Sequence, residues 1–351
     1  RTKNHCCVSI DMHMSQEQQH QKIYRIKKTL EALAVHETEC LLCPRECGAD
    51  RLAGESGYCG VSLQKIKISN ALLHFGEEPV LSGHEDCARQ SAGTSCHQRG
   101  SGTIFFSGCN LKCTACQNYQ ISHEYRGDWL SPEALGQKML ELQKQGALNI
   151  NLVSPAHVLP AVLRGLLYAY EHGLSIPLVY NTHGYEKADV IRLLDGIVDI
   201  YLPDFKYYSR KLAGRLSQAP DYFIRASKSI HEMYCQHPVL ALNNQGTALK
   251  GCIIRHLVLP GQLDDSIRIL EWTRGHISAS IGISLMSQYR PCFHAPPDML
   301  RILTSEEYQR VADKAAALGF DHLFLQSGFL ETEGLLPDFE LDTPFNWKPK
   351  P

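Results

Sequence analysis

Seven of the fourteen cysteines fall into two tight runs, and both spacings are those of metal ligands rather than of a disulfide framework. In TIFFSGCNLKCTACQNY, Cys109, Cys113 and Cys116 stand as C-x3-C-x2-C on a single stretch. A structural zinc site closes with four protein ligands, and no fourth Cys or His lies within this loop, so a distant residue such as His123 would have to complete one. Three cysteines suit an iron–sulfur cube, which normally takes four, with one iron left for an exchangeable molecule. In CLLCPRECGADRLAGESGYCG, Cys40, Cys43, Cys47 and Cys59 are spaced C-x2-C-x3-C-x11-C, with Pro44, Gly48, Gly57 and Gly60 as turn formers. Four ligands close a site, so this run is expected to hold either a tetrahedral zinc or an auxiliary iron–sulfur cluster. Arg45 and Arg51 beside it read as exposed loop arginines. The other cysteines, Cys6, Cys7, Cys87, Cys96, Cys235, Cys252 and Cys292, read as free thiols. His84, Cys87, Cys96 and His97 lack a knuckle spacing and read as part of a solvated loop.

A regular frame surrounds these runs. From Gly102 onward, short β-branched or aromatic stretches alternate with helical ones, the pattern of parallel strands joined by crossover helices. The strands fall at 103–107, 149–153, 177–181, 197–202, 253–259 and 280–286, with 322–326 as a possible last one, and their near-continuous apolar character suits strands covered on both faces. Ser131-Pro132 marks one helix start, Thr304 with Glu307 forms a capping-box pattern, and Gly173 ends a helix. The cysteine triad follows directly on the first of these strands. Ahead of it lie a short amphipathic helix over 23–34, one or two strands within 65–83, and a polar insertion over 84–102. The 351 residues, 44% hydrophobic and 21% charged, describe a folded chain with a sizeable core. A formal charge of -2 offers no bulk attraction for nucleic acid or an anionic membrane. No apolar run reaches spanning length and the start lacks a signal-peptide core, so the chain reads as cytoplasmic. It opens on Arg1 rather than Met, and residues 1–22 are set aside from the fold reading.

The C-x3-C-x2-C loop after a first strand resembles the radical S-adenosylmethionine superfamily. The resemblance implies a full or partial (β/α) barrel of about six parallel strands over 102–328, preceded by an extension at 1–39, the four-cysteine segment at 40–60 and a linker at 61–101, with a tail at 329–351. It implies a 4Fe–4S cluster on Cys109, Cys113 and Cys116, whose open iron binds S-adenosylmethionine. One electron then splits the sulfonium to methionine and a 5′-deoxyadenosyl radical that abstracts hydrogen from a substrate. More specific matches are similar to the pyruvate formate-lyase activating enzymes. Asn181-Thr182-His183-Gly184 resembles that family's Asp-Thr-Asn-Gly turn, and Leu202-Pro203-Asp204-Phe205-Lys206 its Asp-x-Lys segment. There these positions surround the S-adenosylmethionine carboxylate and a monovalent cation. Asn181, Thr182 and Asp204 would supply hard oxygen ligands and Lys206 a compact positive charge. Arg255 to Gly261 resembles an Arg-x-Val-Val-x-Pro-Gly segment near the cofactor, followed by Asp264 and Asp265, and Gln288 with Tyr289 would face the adenosyl end. Cys-x2-Cys-Pro-Arg-x-Cys ahead of a barrel is similar to a branch of activating-enzyme-like proteins.

The chain departs from that family at two places. Ala115 stands where an aromatic residue usually touches adenine, so Tyr119 or Phe106 would have to supply a wall. Ser154-Pro155-Ala156-His157 replaces the Gly-Gly-Glu-Pro that binds the methionine amino group, leaving the Ser154 hydroxyl for that role. Gly76-Glu77-Glu78-Pro79 looks similar to the missing motif but precedes the cluster loop, so it receives no role. His157 and His183 lie where substrate would approach, but read as satisfied strand-end histidines. The resemblance implies a flavodoxin- or ferredoxin-type electron donor and, as first substrate, a glycine of a partner protein. The alternatives are radical modification of another protein, peptide or small molecule, or a non-catalytic iron–sulfur or zinc scaffold.

Overall fold

The computed structural model describes residues 14–62, 65–83, 99–326 and 336–345. Its centre is a ten-stranded sheet: β1 (Ile66–His74), β2 (Ser101–Phe106), β3 (Asp128–Leu130), β4 (Ile150–Val153), β5 (Leu178–Thr182), β6 (Ile200–Pro203), β7 (Ala241–Leu242), β8 (Ala248–Leu257), β9 (Gly282–Met286) and β10 (His322–Leu325). Along its main path the order is β10-β9-β8-β6-β5-β4-β2-β1-β3. Seven of these, from β2 to β10, run parallel, the six apolar runs together with the last one over 322–326. β1 and β3 add antiparallel edges beside β2, and β7 forms a short antiparallel hairpin on β8.

The sheet curls. Side chains from both ends of its order, His74 on β1 and Phe324 on β10, line the same interior cavity as Phe105, Val153, Asn181 and Arg255 from the strands between. Because β10 pairs only with β9 along that order, the curl is an open α/β barrel of the kind expected. The helices 132–144 and 159–171 cover its outside, burying Leu135, Met139, Leu140, Leu159, Val162 and Leu166 in the main core. The first begins at Ser131, whose hydroxyl accepts from the Ala134 N–H, a cap worth about 1 kcal/mol. Thr304 and Glu307 form the expected capping box.

Two segments differ from the sequence reading. The first helix runs Gln16–Leu33 rather than from residue 23, and the set-aside Lys22 lies buried in it, 2.5 Å from Asp199 and 2.8 Å from the Ile197 carbonyl. The polar run before Ile23 hid this anchor. After β1 the chain turns under the barrel through the short helix Pro79–Ser82. There Val80 and Leu81 pack with Val179, Ile200, Leu202, Leu240, Ala248 and Ile253 as an apolar plug. The interior is therefore closed at the end where the parallel strands begin. No helix is long and apolar enough to cross a membrane among the described residues, and residues 84–98, with His84, Cys87, Cys96 and His97, lie outside them, as do Cys6 and Cys7.

Candidate functional site

The loop after β2 carries its three cysteines to the end of the barrel where parallel strands deliver functional groups. Cys113 and Cys116 stand on the wall of a cavity of about 510 Å³ that reaches down to the plug. Each thiol meets one polar partner: Cys113 the Ser217 hydroxyl at 3.1 Å, Cys116 the Ser122 hydroxyl at 3.2 Å, and Cys109 the Leu111 N–H at 3.4 Å. Burial and then the Cys113 thiol push Cys116 up to about 12, and the same two causes push Cys109 up. Lys112 on the loop and Lys206 across the cavity pull the other way, on Cys109 and Cys116 respectively, without offsetting burial. Three thiols on one loop, with no fourth Cys on it, fit a 4Fe–4S cluster that Cys109, Cys113 and Cys116 would hold.

Opposite the loop, the ends of β5, β6 and β8 form a charged network. Asp204 takes Lys206 at 2.6 Å on one oxygen and Arg255 at 2.9 Å on the other. Burial pushes the Asp204 carboxyl up, but Lys206 and Arg255 outweigh it and hold it down to about 2. Arg255 also donates to Asn181 at 2.6 Å and lies 3.5 Å from Glu77. Tyr222 clamps the two strand ends from outside, its hydroxyl bonding the His183 and Asp204 carbonyls at 2.8 Å and accepting from the Lys206 N–H. Gly184 is required between them: its φ is +79° and a Cβ there would lie 2.4 Å from the Asp204 carbonyl.

Of the predicted ligands, Asn181, Asp204, Lys206 and Arg255 line the cavity, while Thr182 and Ser154 do not. Thr182 instead donates to the buried Glu186 at 2.5 Å. Ser154 sits at the end of β4 in the left-handed region, φ 55°, its N–H bonded to the Asn181 carbonyl at 2.7 Å. The monovalent cation does not fit: the Asp204 and Asn181 oxygens already serve Arg255 and Lys206, and two fixed positive charges repel a third. Nor do Tyr119 or Phe106 form an adenine wall. Tyr119 stacks on Phe293 and Phe106 is buried in the core, whereas Leu216, Leu257, Leu259, Met286, Tyr289 and Met299 supply the cavity's apolar side, with Ala115 among them. Gln288 lines the cavity too and accepts from Gln326 at 2.9 Å. Asp265 caps the Tyr208 and Ser209 N–H groups, and Asp264 pairs with Arg310 at the surface.

The second cysteine run packs against the first. Cys40, Cys43, Cys47 and Cys59 line one small hollow, and the Cys59 carbonyl accepts from the Cys109 N–H at 3.3 Å. Gly57 leaves space there, since a Cβ would stand 2.9 Å from the Cys47 sulfur and 3.7 Å from that of Cys59. Burial pushes Cys43 up to about 11. The arginines are not exposed loop residues: Arg51 is buried, donating to the Cys40 sulfur at 3.6 Å and the His157 carbonyl at 3.3 Å. Arg45 bonds the Asn110 and Gln218 carbonyls and lies over the Tyr58 ring at 4.1 Å. Among the described residues no three Cys, His, Asp or Glu side chains are spaced to grip one bare ion. These thiols therefore suit a group of several metal atoms, or one whose arrival draws them together. His157, held by the Ser107 carbonyl at 2.8 Å, and His183, accepting from the Tyr185 N–H, are buried and kept neutral, and neither lines the cavity.

Sequence reasoning passed over Glu77 and Glu78, which line the cavity floor beside His74. The motif was visible, but the chain reversal that brings it under the barrel was not.

No protein-family profile matches the chain. It is 29% identical over 297 residues to an uncharacterized protein of Methanocaldococcus jannaschii, covering 81% of this chain and 76% of that protein. Among solved structures it is similar to Streptococcus suis SuiB bound to S-adenosylmethionine, with 14% identity and a TM-score of 0.44 over 64% of this chain. The chain spans about half of SuiB, 49%. It is also similar to HydG, a maturase of the FeFe-hydrogenase, with 12% identity and a TM-score of 0.44 over 89% of this chain and 66% of that one.

Proposed function

We propose that the chain is a radical S-adenosylmethionine enzyme that abstracts hydrogen from a substrate held inside the barrel. The observation that carries this reading is one loop with three thiols, two of which, Cys113 and Cys116, line a closed-bottomed cavity with charged and apolar walls. When bound, the 4Fe–4S cluster and S-adenosylmethionine supply a 5′-deoxyadenosyl radical by one-electron cleavage of the sulfonium. The chain's own residues do the rest. Cys109, Cys113 and Cys116 hold the cluster. Lys206 and Arg255 present positive charge to the cofactor carboxylate, with Asp204 and Asn181 fixing their direction. The leucine and methionine wall and the plug keep water from the reacting carbon. Ser154, beside the cavity, is the remaining group for the methionine amino end. Cys40, Cys43, Cys47 and Cys59 hold a second centre, zinc or iron–sulfur; the Cys59–Cys109 contact supports its lying next to the first. A flavodoxin or ferredoxin in the cytoplasm supplies the electron. The activating-enzyme branch, with a glycine of a partner protein as target, is supported by the Asn-Thr and Asp-x-Lys strand ends.

The test is spectroscopic. Anaerobically reconstituted protein, once reduced, should give an electron paramagnetic resonance signal of a 4Fe–4S cluster that changes shape on adding S-adenosylmethionine. Cys113→Ala should lose that change while keeping the iron of the second centre, if that centre is iron–sulfur. A native signal indifferent to S-adenosylmethionine would remove the reading.

A further inference from the structure

The cavity floor carries more negative charge than the mechanism above uses. Glu77, Glu78 and Asp204 face the interior with, among the described residues, only Lys206 and Arg255 as fixed positive charges. Asp204 occupies the nearest donors of both cations, and Arg255 spends its other face on Asn181 and, at 3.5 Å, on Glu77. Glu77 has, besides, His74 at 3.8 Å, an imidazole that burial keeps neutral down to about 4. Glu78 lies in the field of Arg255 and beside the Ser284 hydroxyl, but forms no salt bridge within 4 Å among the described residues. It is 9% exposed, and its Oε2 has no hydrogen-bond partner there. A buried carboxylate oxygen without a donor costs free energy, and the fold places this one deliberately: the turn after β1 lifts Glu77 and Glu78 off the Val80–Leu81 plug into the cavity.

We infer that the substrate carries a cationic nitrogen, an amine or guanidine, which seats at the closed end of the barrel on Glu78 and Glu77 while the rest of the molecule reaches up toward the cysteine loop. The inference rests on the radical reading for what happens at the mouth, and on the cavity alone for what binds at the floor. A divalent metal is a poorer occupant, because Arg255 stands beside both carboxylates and no three acidic, His or Cys groups there are spaced for one ion among the described residues. The same nitrogen would be supplied by a free polyamine-like molecule or by a lysine or arginine side chain of an extended peptide.

Calorimetric titration of the reconstituted full chain with putrescine and agmatine tests this, beside 1,4-butanediol and succinate as neutral and anionic probes of similar length. N-acetyl-lysine and N-acetyl-arginine methylamides serve as chain-embedded cations. The cationic probes should bind and the other two should not. Tighter binding of the free amines marks a small-molecule substrate, and tighter binding of the blocked amides a peptide one. Glu78→Gln should weaken the cationic probe roughly 10- to 100-fold, and without ligand it should leave the melting temperature near the native one, since the cost of burying the carboxyl is set against its attraction to Arg255. A Glu78 that merely holds the fold together would lower it instead. Glu77→Gln should weaken the same probe as a second, independent arm. Equal binding of diol and putrescine, no binding of any cation, or a Glu78→Gln chain that binds as well as native would overturn the inference. Release of 5′-deoxyadenosine by the native chain is scored separately. If it occurs without selective cation binding, only the floor site falls; if cations bind selectively and it never occurs, only the radical reading falls.

Discussion

Replacing Arg255 with methionine should leave the cavity with three carboxyl groups facing one lysine. The native guanidinium, its side chain 17% exposed, touches Asp204, Asn181 and Glu77. Burial alone would raise the Asp204 carboxyl, yet Lys206 and Arg255 bring it from its ordinary 3.8 to about 2. That lowering corresponds to about 2.5 kcal/mol of stability near neutral pH. In the variant this contribution shrinks and Glu77 loses its nearest permanent positive charge, so the loss at pH 7.5 should be about 3–5 kcal/mol, the usual cost of stranding a buried charge. The pH dependence follows. Native Asp204 is depressed, so its contribution is fully present above pH 4 and fades only as pH falls toward 2. Burial already raises Glu77 and Glu78 in the native chain against the pull of Arg255; without Arg255 both rise further while Lys206 still holds Asp204, so the folded variant binds more protons than the native chain and its deficit grows as pH rises. Urea midpoints at pH 7.5 and 5.5 should therefore show the larger deficit at 7.5, and adding Glu77→Gln to the same chain should recover at least about 1 kcal/mol. A deficit below about 1 kcal/mol, or one equal at both pH values, would refute the counter-ion argument.

Three further outcomes are expected. Lys22→Met should cost about 3–5 kcal/mol by stranding the buried Asp199, while Lys28→Met, on an exposed stretch of the same helix, should leave the urea midpoint where it is. Gly184→Ala should cost about 1–3 kcal/mol, because its φ of +79° and the 2.4 Å approach to the Asp204 carbonyl both oppose a methyl group; urea midpoints measure it. His256 is brought down to about 4 by burial, against the upward pull of its bond to the Phe205 carbonyl. As a depressed histidine it contributes stability that is present above about 6.5 and lost as pH falls toward 4, so His256→Gln should flatten the fall of midpoint between those values.

What could be read in the chain and what could not divides along physical lines. The parallel strands were legible because strands buried on both faces leave unbroken apolar runs, as Leu178–Thr182 and Ile200–Pro203 do. The cysteine loop stood out in the sequence because its signal is local: three cysteines on one loop need no distant partner to be noticed. Asn181, Asp204, Lys206 and Arg255 could be picked out as cavity-lining because position at a parallel strand's end already implies the mouth. Thr182 is not cavity-lining, since alternation along β5 turns its side chain to Glu186 while Asn181 faces inward. Arg51 was misjudged because charge looks solvated in a sequence until a partner from far along the chain, here the His157 carbonyl, is brought beside it; Lys22 was set aside with the first residues, and only Asp199, far along the chain, shows it to be an anchor. Glu77 and Glu78 were missed because sequence order put them before the barrel, and only the reversal under β2 returns them to its floor.

The central claim is that Cys109, Cys113 and Cys116 make this barrel a generator of 5′-deoxyadenosyl radicals. Its most direct measurement is 5′-deoxyadenosine by mass spectrometry from reconstituted, reduced protein given S-adenosylmethionine, beside Cys113→Ala. The native chain should form it and the variant should not. A fully loaded, reducible native cluster that forms none with any of the cationic probes present, or a variant that forms as much, would contradict the account.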